Sequence, residues 1–80
     1  MITNDFLLTF ELDSHKTANT IDIHLDDKGL ELLLDSLLSL QNKKNNHLHF
    51  VSIEWGGNEL SDKVQKEGCE LIHKVTVHKW

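Results

Sequence analysis

From Asp5 to Leu12 the chain alternates, with Phe6, Leu8, Phe10 and Leu12 on one side and Leu7, Thr9 and Glu11 on the other. A period of two marks a strand, because successive side chains leave a pleated backbone on opposite faces. The same period returns from Thr20 to Leu25, where Ile21, Ile23 and Leu25 point one way and Asp22 and His24 the other. One apolar and one polar face predict a sheet covered on a single side. The polar stretch Asp13 to Asn19 between them predicts a hairpin loop.

The period then changes. Leu30, Leu33, Leu34, Leu37 and Leu38 recur at three and four residues and draw one wide apolar stripe, which predicts a helix from Asp27 to Asn42 facing the core. Asp26 is the predicted N-cap, its carboxylate accepting from first-turn amides, with Leu25 and Leu30 placed as a hydrophobic staple. Lys43 and Lys44 suit the negative end of the helix dipole, and Asn45 and Asn46 tolerate the left-handed backbone that closes a helix.

His47 to Ile53 predicts a third strand. Its apolar residues fall on both faces, as in a strand inside the sheet or one leaving it near Trp55. Cys69 to His78 predicts a fourth, with Leu71, Val75 and Val77 on one face. The intervening Glu54 to Gly68 is long for a structureless loop and predicts a short helical piece around Leu60 to Lys66. The fold class is therefore α+β, in the order ββαββ: a four-stranded, mainly antiparallel sheet with one helix packed on one face, forming a single domain over residues 1–80. Strand order 2-1-3-4 is expected, since the first strand is apolar enough to sit inside; 1-2-4-3 remains open.

Composition narrows the partners. Eighty residues allow one modest core, burying about two thirds of the unfolded surface. The net charge of −5 disfavours a phosphate backbone, where binding needs clustered Lys and Arg, and suits a basic protein partner. Cys69 stands alone, which excludes an intramolecular disulfide and a cysteine-based zinc site. The N-terminus has no basic, then apolar, leader pattern. The run Leu30 to Leu40 is interrupted by Glu31, Asp35, Ser36 and Ser39, and is shorter than the roughly 20 residues a membrane helix takes. A cytoplasmic protein with no membrane or nucleic-acid partner is the expectation.

Catalytic and metal chemistry find little support. Of six histidines, His24, His49 and His78 would share the polar sheet face with Asp22 if the registers aligned. No helical His pair and no Cys pair supports a metal, and solvated surface histidines are the preferred reading. No serine has a nucleophile-elbow context. Cys69 and His73, four residues apart in one strand, would sit roughly 13 Å from each other, so a structural thiol is favoured. Gly56-Gly57 lacks the Lys and Ser/Thr of a phosphate loop. No enzyme and no cofactor are expected. Trp55 and Trp80, each flanked by charge, either cap open ends of the core or anchor a protein interface rimmed by the acidic loop from Glu54 to Asp62.

Three stretches carry a resemblance: Leu48-His49-Phe50, Glu54-Trp55-Gly56-Gly57-Asn58-Glu59-Leu60-Ser61, and the terminal strand from Ile72 to Trp80. Together they resemble the immunity protein 32 family of bacterial polymorphic toxin systems, with Trp55, Gly56, Gly57, Leu60 and Trp80 as the motif positions. The resemblance implies a small cytoplasmic α+β protein that neutralises a cognate toxin by stoichiometric binding and is no enzyme. Motif positions shared across such a family mark fold, whereas recognition surfaces must differ between cognate pairs. The specificity surface is then expected elsewhere, around Asp22, His24 and the Asp26–Asp27 edge, with Glu54 and Glu59 beside the motif. The alternative is a small non-enzymatic protein-binding or regulatory module with no toxin, homodimeric if an exposed strand edge pairs with a second copy.

Overall fold

A computed structural model describes residues 6–13 and 20–80. Its elements are β1 (Leu8–Asp13), β2 (Ile21–Leu25), α1 (Asp27–Leu38), β3 (Asn46–Val51), a 3-10 turn (Ile53–Trp55), β4 (Cys69–Leu71) and β5 (Lys74–Lys79). The α+β class and the antiparallel pairing are as the sequence predicts. The loop expected over Asp13 to Asn19 falls largely on residues 14–19, outside the described residues.

The strands form two sheets, β2-β1-β4 and β3-β5, in place of one four-stranded sheet. The predicted fourth strand is one bent segment: β4 pairs with β1, and after Ile72 and His73 the chain crosses to pair with β3 as β5. Two backbone bonds fix the crossing, Ile72 N–H to the Phe10 carbonyl and Ser52 N–H to the His73 carbonyl, both 2.8 Å. Neither expected strand order is found, since β1 lies between β2 and β4. Apolar faces place a strand inside a sheet but do not choose its neighbour.

The core centres on Leu8, Phe50 and Leu60, with Phe6, Phe10, Leu25, Leu32, Leu33, Leu48, Val75 and Val77 packed against them. Helix α1 starts where its cap dictates: the Asp26 carboxylate accepts from Gly29 N–H at 2.8 Å. Gly29 is buried so close to β1 that a Cβ there would stand 1.8 Å from the Leu7 carbonyl oxygen. The helix ends at Leu38, four residues short of the expected Asn42, in tight turns from Leu40 N–H to Leu37 and from Gln41 N–H to Leu38. Asn45 takes the left-handed backbone, with φ of 55°.

Two expectations about faces fail. The apolar stripe of α1 is only partly used, because Leu30, Leu34, Leu37 and Leu38 stay largely exposed while Leu32 and Leu33 do the packing. The cover also stops short of Ile21 and Ile23, which are exposed on β2, an edge strand. The second failure is the opposite one: the polar face of β1 is not solvated. Thr9, Glu11 and Asp13 are buried, and the stretch Leu60 to Lys66, expected to hold a short helical piece, has none; its Gln65 and Lys66 instead lie against that face. Glu11 holds it there, its carboxylate accepting from Gln65 N–H at 2.8 Å, Lys66 N–H at 3.2 Å and the Thr9 hydroxyl at 3.0 Å. A buried carboxylate is tolerable when its lone pairs are filled in this way.

Candidate functional site

The Trp-Gly-Gly segment reverses the chain at the end of β3. The 3-10 turn Ile53–Trp55 ends on Gly56, whose φ of 89° closes it. Gly57 then passes so close to β3 that a Cβ would stand 2.3 Å from the Val51 carbonyl oxygen. The reversal is locked by Gly57 N–H to the Ser52 carbonyl (2.9 Å) and by the Glu59 carboxylate, which accepts from Val51 N–H and Asn58 N–H, both at 3.1 Å. Leu60 is thereby driven fully into the core, bridging Ser52 in parallel. Ser61 continues the seam: its N–H donates to the Leu8 carbonyl (2.9 Å), its hydroxyl donates to the Phe6 carbonyl (3.0 Å) and accepts from Leu8 N–H (3.2 Å). Gly56, Gly57, Glu59 and Leu60 thus join the two sheets, and Glu59 is not a free rim charge.

Trp55 is the exception in this segment. Its side chain is turned outward at 61% exposure, so it caps no core, and it stacks on His73 with ring centres 5.1 Å apart and planes 10° from parallel. His73 is itself held by Ser52, whose hydroxyl lies 2.8 Å from Nδ1, and exposed Glu54 approaches Nε2 at 3.7 Å. This Ser–His–Glu contact has the outline of a nucleophilic triad, but Ser52 is fully buried and no substrate reaches its hydroxyl. The arrangement sets the indole against His73 at the surface, beside a carboxylate. Trp80, at 83% exposure, also leaves the core and stacks more loosely on His78, at 6.2 Å. Because Asn46 pairs with Lys79 and Val51 with Lys74, the two tryptophans lie at opposite ends of the β3–β5 ribbon. They do not share a site.

Asp22 and His24 lie on the first sheet, half-buried, in a polar cluster. The Lys66 ammonium bridges Asp13 at 3.0 Å and Asp22 at 3.2 Å; those hydrogen bonds, Asp13 first, and then the two charges hold it above its ordinary pKa. His24 Nε2 is buried without a hydrogen-bond partner among the described residues, 3.7 Å from Glu11. Cys69 is buried, and desolvation first, then the Asp13 charge, pushes its thiol pKa up, opposite to what a nucleophile needs. Donor atoms of Asp13, Asp22 and Cys69 gather within 4.8 Å of one another, but the place of a cation there is taken by Lys66. The register that would put His24, His49 and His78 on one sheet face is not found: His24 is on the first sheet, while His49 and His78 are on the second. There they sit with His47, which the sequence reading passed over; the alternation His47-Leu48-His49 was its available signal.

An apolar groove of about 410 Å³ opens between α1 and β5, lined chiefly by Leu34, Leu37, Leu38, Leu40 and Val77. It is the consequence of the helix stripe that the sheets leave uncovered.

Among models of known protein families, that of immunity protein 32 matches residues 20–75, more than half of the chain. The chain belongs to the immunity protein 32 family. No curated protein and no solved structure matched it. The immunity protein 32 match runs from β2 through α1, β3 and the Trp-Gly-Gly reversal into β5, so Trp55, Gly56, Gly57 and Leu60 lie inside it. Trp80, which the resemblance also rested on, lies beyond its last residue. Asp22, His24, Glu54 and Glu59 are within the match. No helix among the described residues is long and apolar enough to cross a membrane.

Proposed function

We propose that this immunity protein binds a cognate bacterial toxin one-to-one in the cytoplasm and neutralises it by occlusion, as a single domain without catalysis or cofactor. Family membership over residues 20–75 is the observation that carries the reading. Trp55 supports it from the geometry. An indole fixed by stacking has little side-chain entropy left to lose, which is what favours Trp at the centre of protein interfaces. Glu54 beside it and the net charge of −5 fit a toxin with a basic surface, because opposite charge speeds encounter. Asp22 and His24 stand apart on the first sheet and would contribute only to a contact that wraps that edge.

The test is co-expression with the polypeptide encoded directly upstream. The expected result is toxicity from that polypeptide alone, growth restored by this chain, and a stable one-to-one complex on co-purification. A toxic neighbour that this chain neither rescues nor binds would overturn the reading. A second reading, a homodimeric binding module, is favoured by one observation, the uncovered leucines of α1. Sedimentation of the isolated chain separates the two, since a stable dimer that ignores the neighbouring polypeptide fits only the second.

A further inference from the structure

We propose that His47, His49 and His78 form a site for one divalent transition-metal ion, zinc in the first instance, on the outer face of the β3–β5 ribbon. This goes beyond toxin binding and does not depend on it. The backbone register places the three together: His47 pairs directly with His78, and His49 pairs with Thr76 two positions along. With a period of two, all three imidazoles leave the same face. Directly opposed Cβ atoms are about 4.5–5.5 Å apart and diagonal ones about 7–8 Å, within reach of convergent imidazoles. The rings are already close, with centres 4.9 Å apart for His47 and His49 and 5.7 Å for His47 and His78.

Their nitrogens do not yet gather at one point. Ligation at roughly 2.0–2.1 Å takes rotation about side-chain bonds, which exposed rings make within nanoseconds, with no backbone movement. His49 is the most prepared of the three. Its Nδ1 lies 2.9 Å from the Thr76 hydroxyl, which orients the ring and leaves Nε2 for a metal, as outer partners of ligating histidines do. Three imidazoles suit zinc, copper or nickel and leave a fourth, solvent-facing position for water.

The experiment is calorimetric titration of the untagged full chain with zinc chloride at neutral pH. One zinc per chain is expected. Losing an outer-shell partner already costs 10–100-fold in affinity, so His47→Ala, His49→Ala and His78→Ala should each weaken binding at least about tenfold. His24→Ala and Cys69→Ser, which alter the other polar cluster, should bind as the parent does. All three proposed ligands are exposed, so the variants should keep the parent's melting temperature, which checks that they fold. Absence of binding heat would overturn the proposal. So would parental affinity in the three histidine variants, or zinc binding abolished by Cys69→Ser.

Discussion

At Gly57 the lack of a side chain decides whether β3 can be followed by a reversal at all. A methyl group there would meet the Val51 carbonyl, a backbone atom that cannot rotate away. Gly57→Ala should therefore cost at least the ~1–3 kcal/mol typical of overpacking, seen as a fall in melting temperature. Leu60→Ala, at the fully buried end of the same segment, should cost about 2–5 kcal/mol. Trp55→Ala removes a mostly exposed side chain together with its stack on His73 and should cost only about 0.5–1.5 kcal/mol, less than either change above it in the core seam. These positions stand together in the sequence without a sign of which is buried, because a Trp and a Leu carry the same apolar signal whichever way the backbone turns them. The separation comes from the φ of Gly56 and the Glu59 clamp, which aim Leu60 in and Trp55 out.

Elements were legible where their causes are local. The start of α1 depends on Asp26 and Gly29, three residues apart, and the structure places the cap where the sequence does. The backbone bond to Gly29, then that to Leu7, lowers the Asp26 pKa from its ordinary 3.8. The sign follows from linkage: a depressed folded pKa gives stability that is complete above about 3.8 and is lost as pH falls through the folded value. Asp26→Asn keeps a cap acceptor without the charge, so acid melts of the parent and variant should converge as pH falls below 4. Causes at long range were not legible. Glu11 reads as a solvated strand residue, yet its carboxylate orders the chain at Gln65 and Lys66, 54 and 55 residues away. Glu11→Ala should leave those amides without their acceptor and speed their hydrogen exchange, with about 1–3 kcal/mol lost per donor left buried and unpaired. The strand order failed for the same reason: bonds from Ile72 to Phe10 and from Ser52 to His73 decide it, and neither has a local sequence signal.

On the scale of the whole molecule, part of the apolar surface stays uncovered. The two short sheets leave Leu34, Leu37 and Leu38, three of the five stripe leucines of α1, on an open groove. At the other side the Trp-Gly-Gly reversal joins the sheets and sets one indole outside. The family match, the seam and the exposed tryptophan lie on the same stretch of chain. Within the motif, Gly57 and Leu60 hold the fold, while the Trp55 side chain faces solvent. The direct measurement is a paired one on Trp55→Ala: its melting temperature, and its affinity by calorimetry for the toxic polypeptide encoded beside it. A melting temperature lowered only by the loss of the stack on His73, about 4–8 °C per kcal/mol, with affinity reduced at least about tenfold, the loss expected on truncating an interface anchor, is the predicted result. A variant that binds like the parent, or one that loses binding only because it no longer folds, would contradict the assignment of Trp55 as the anchor.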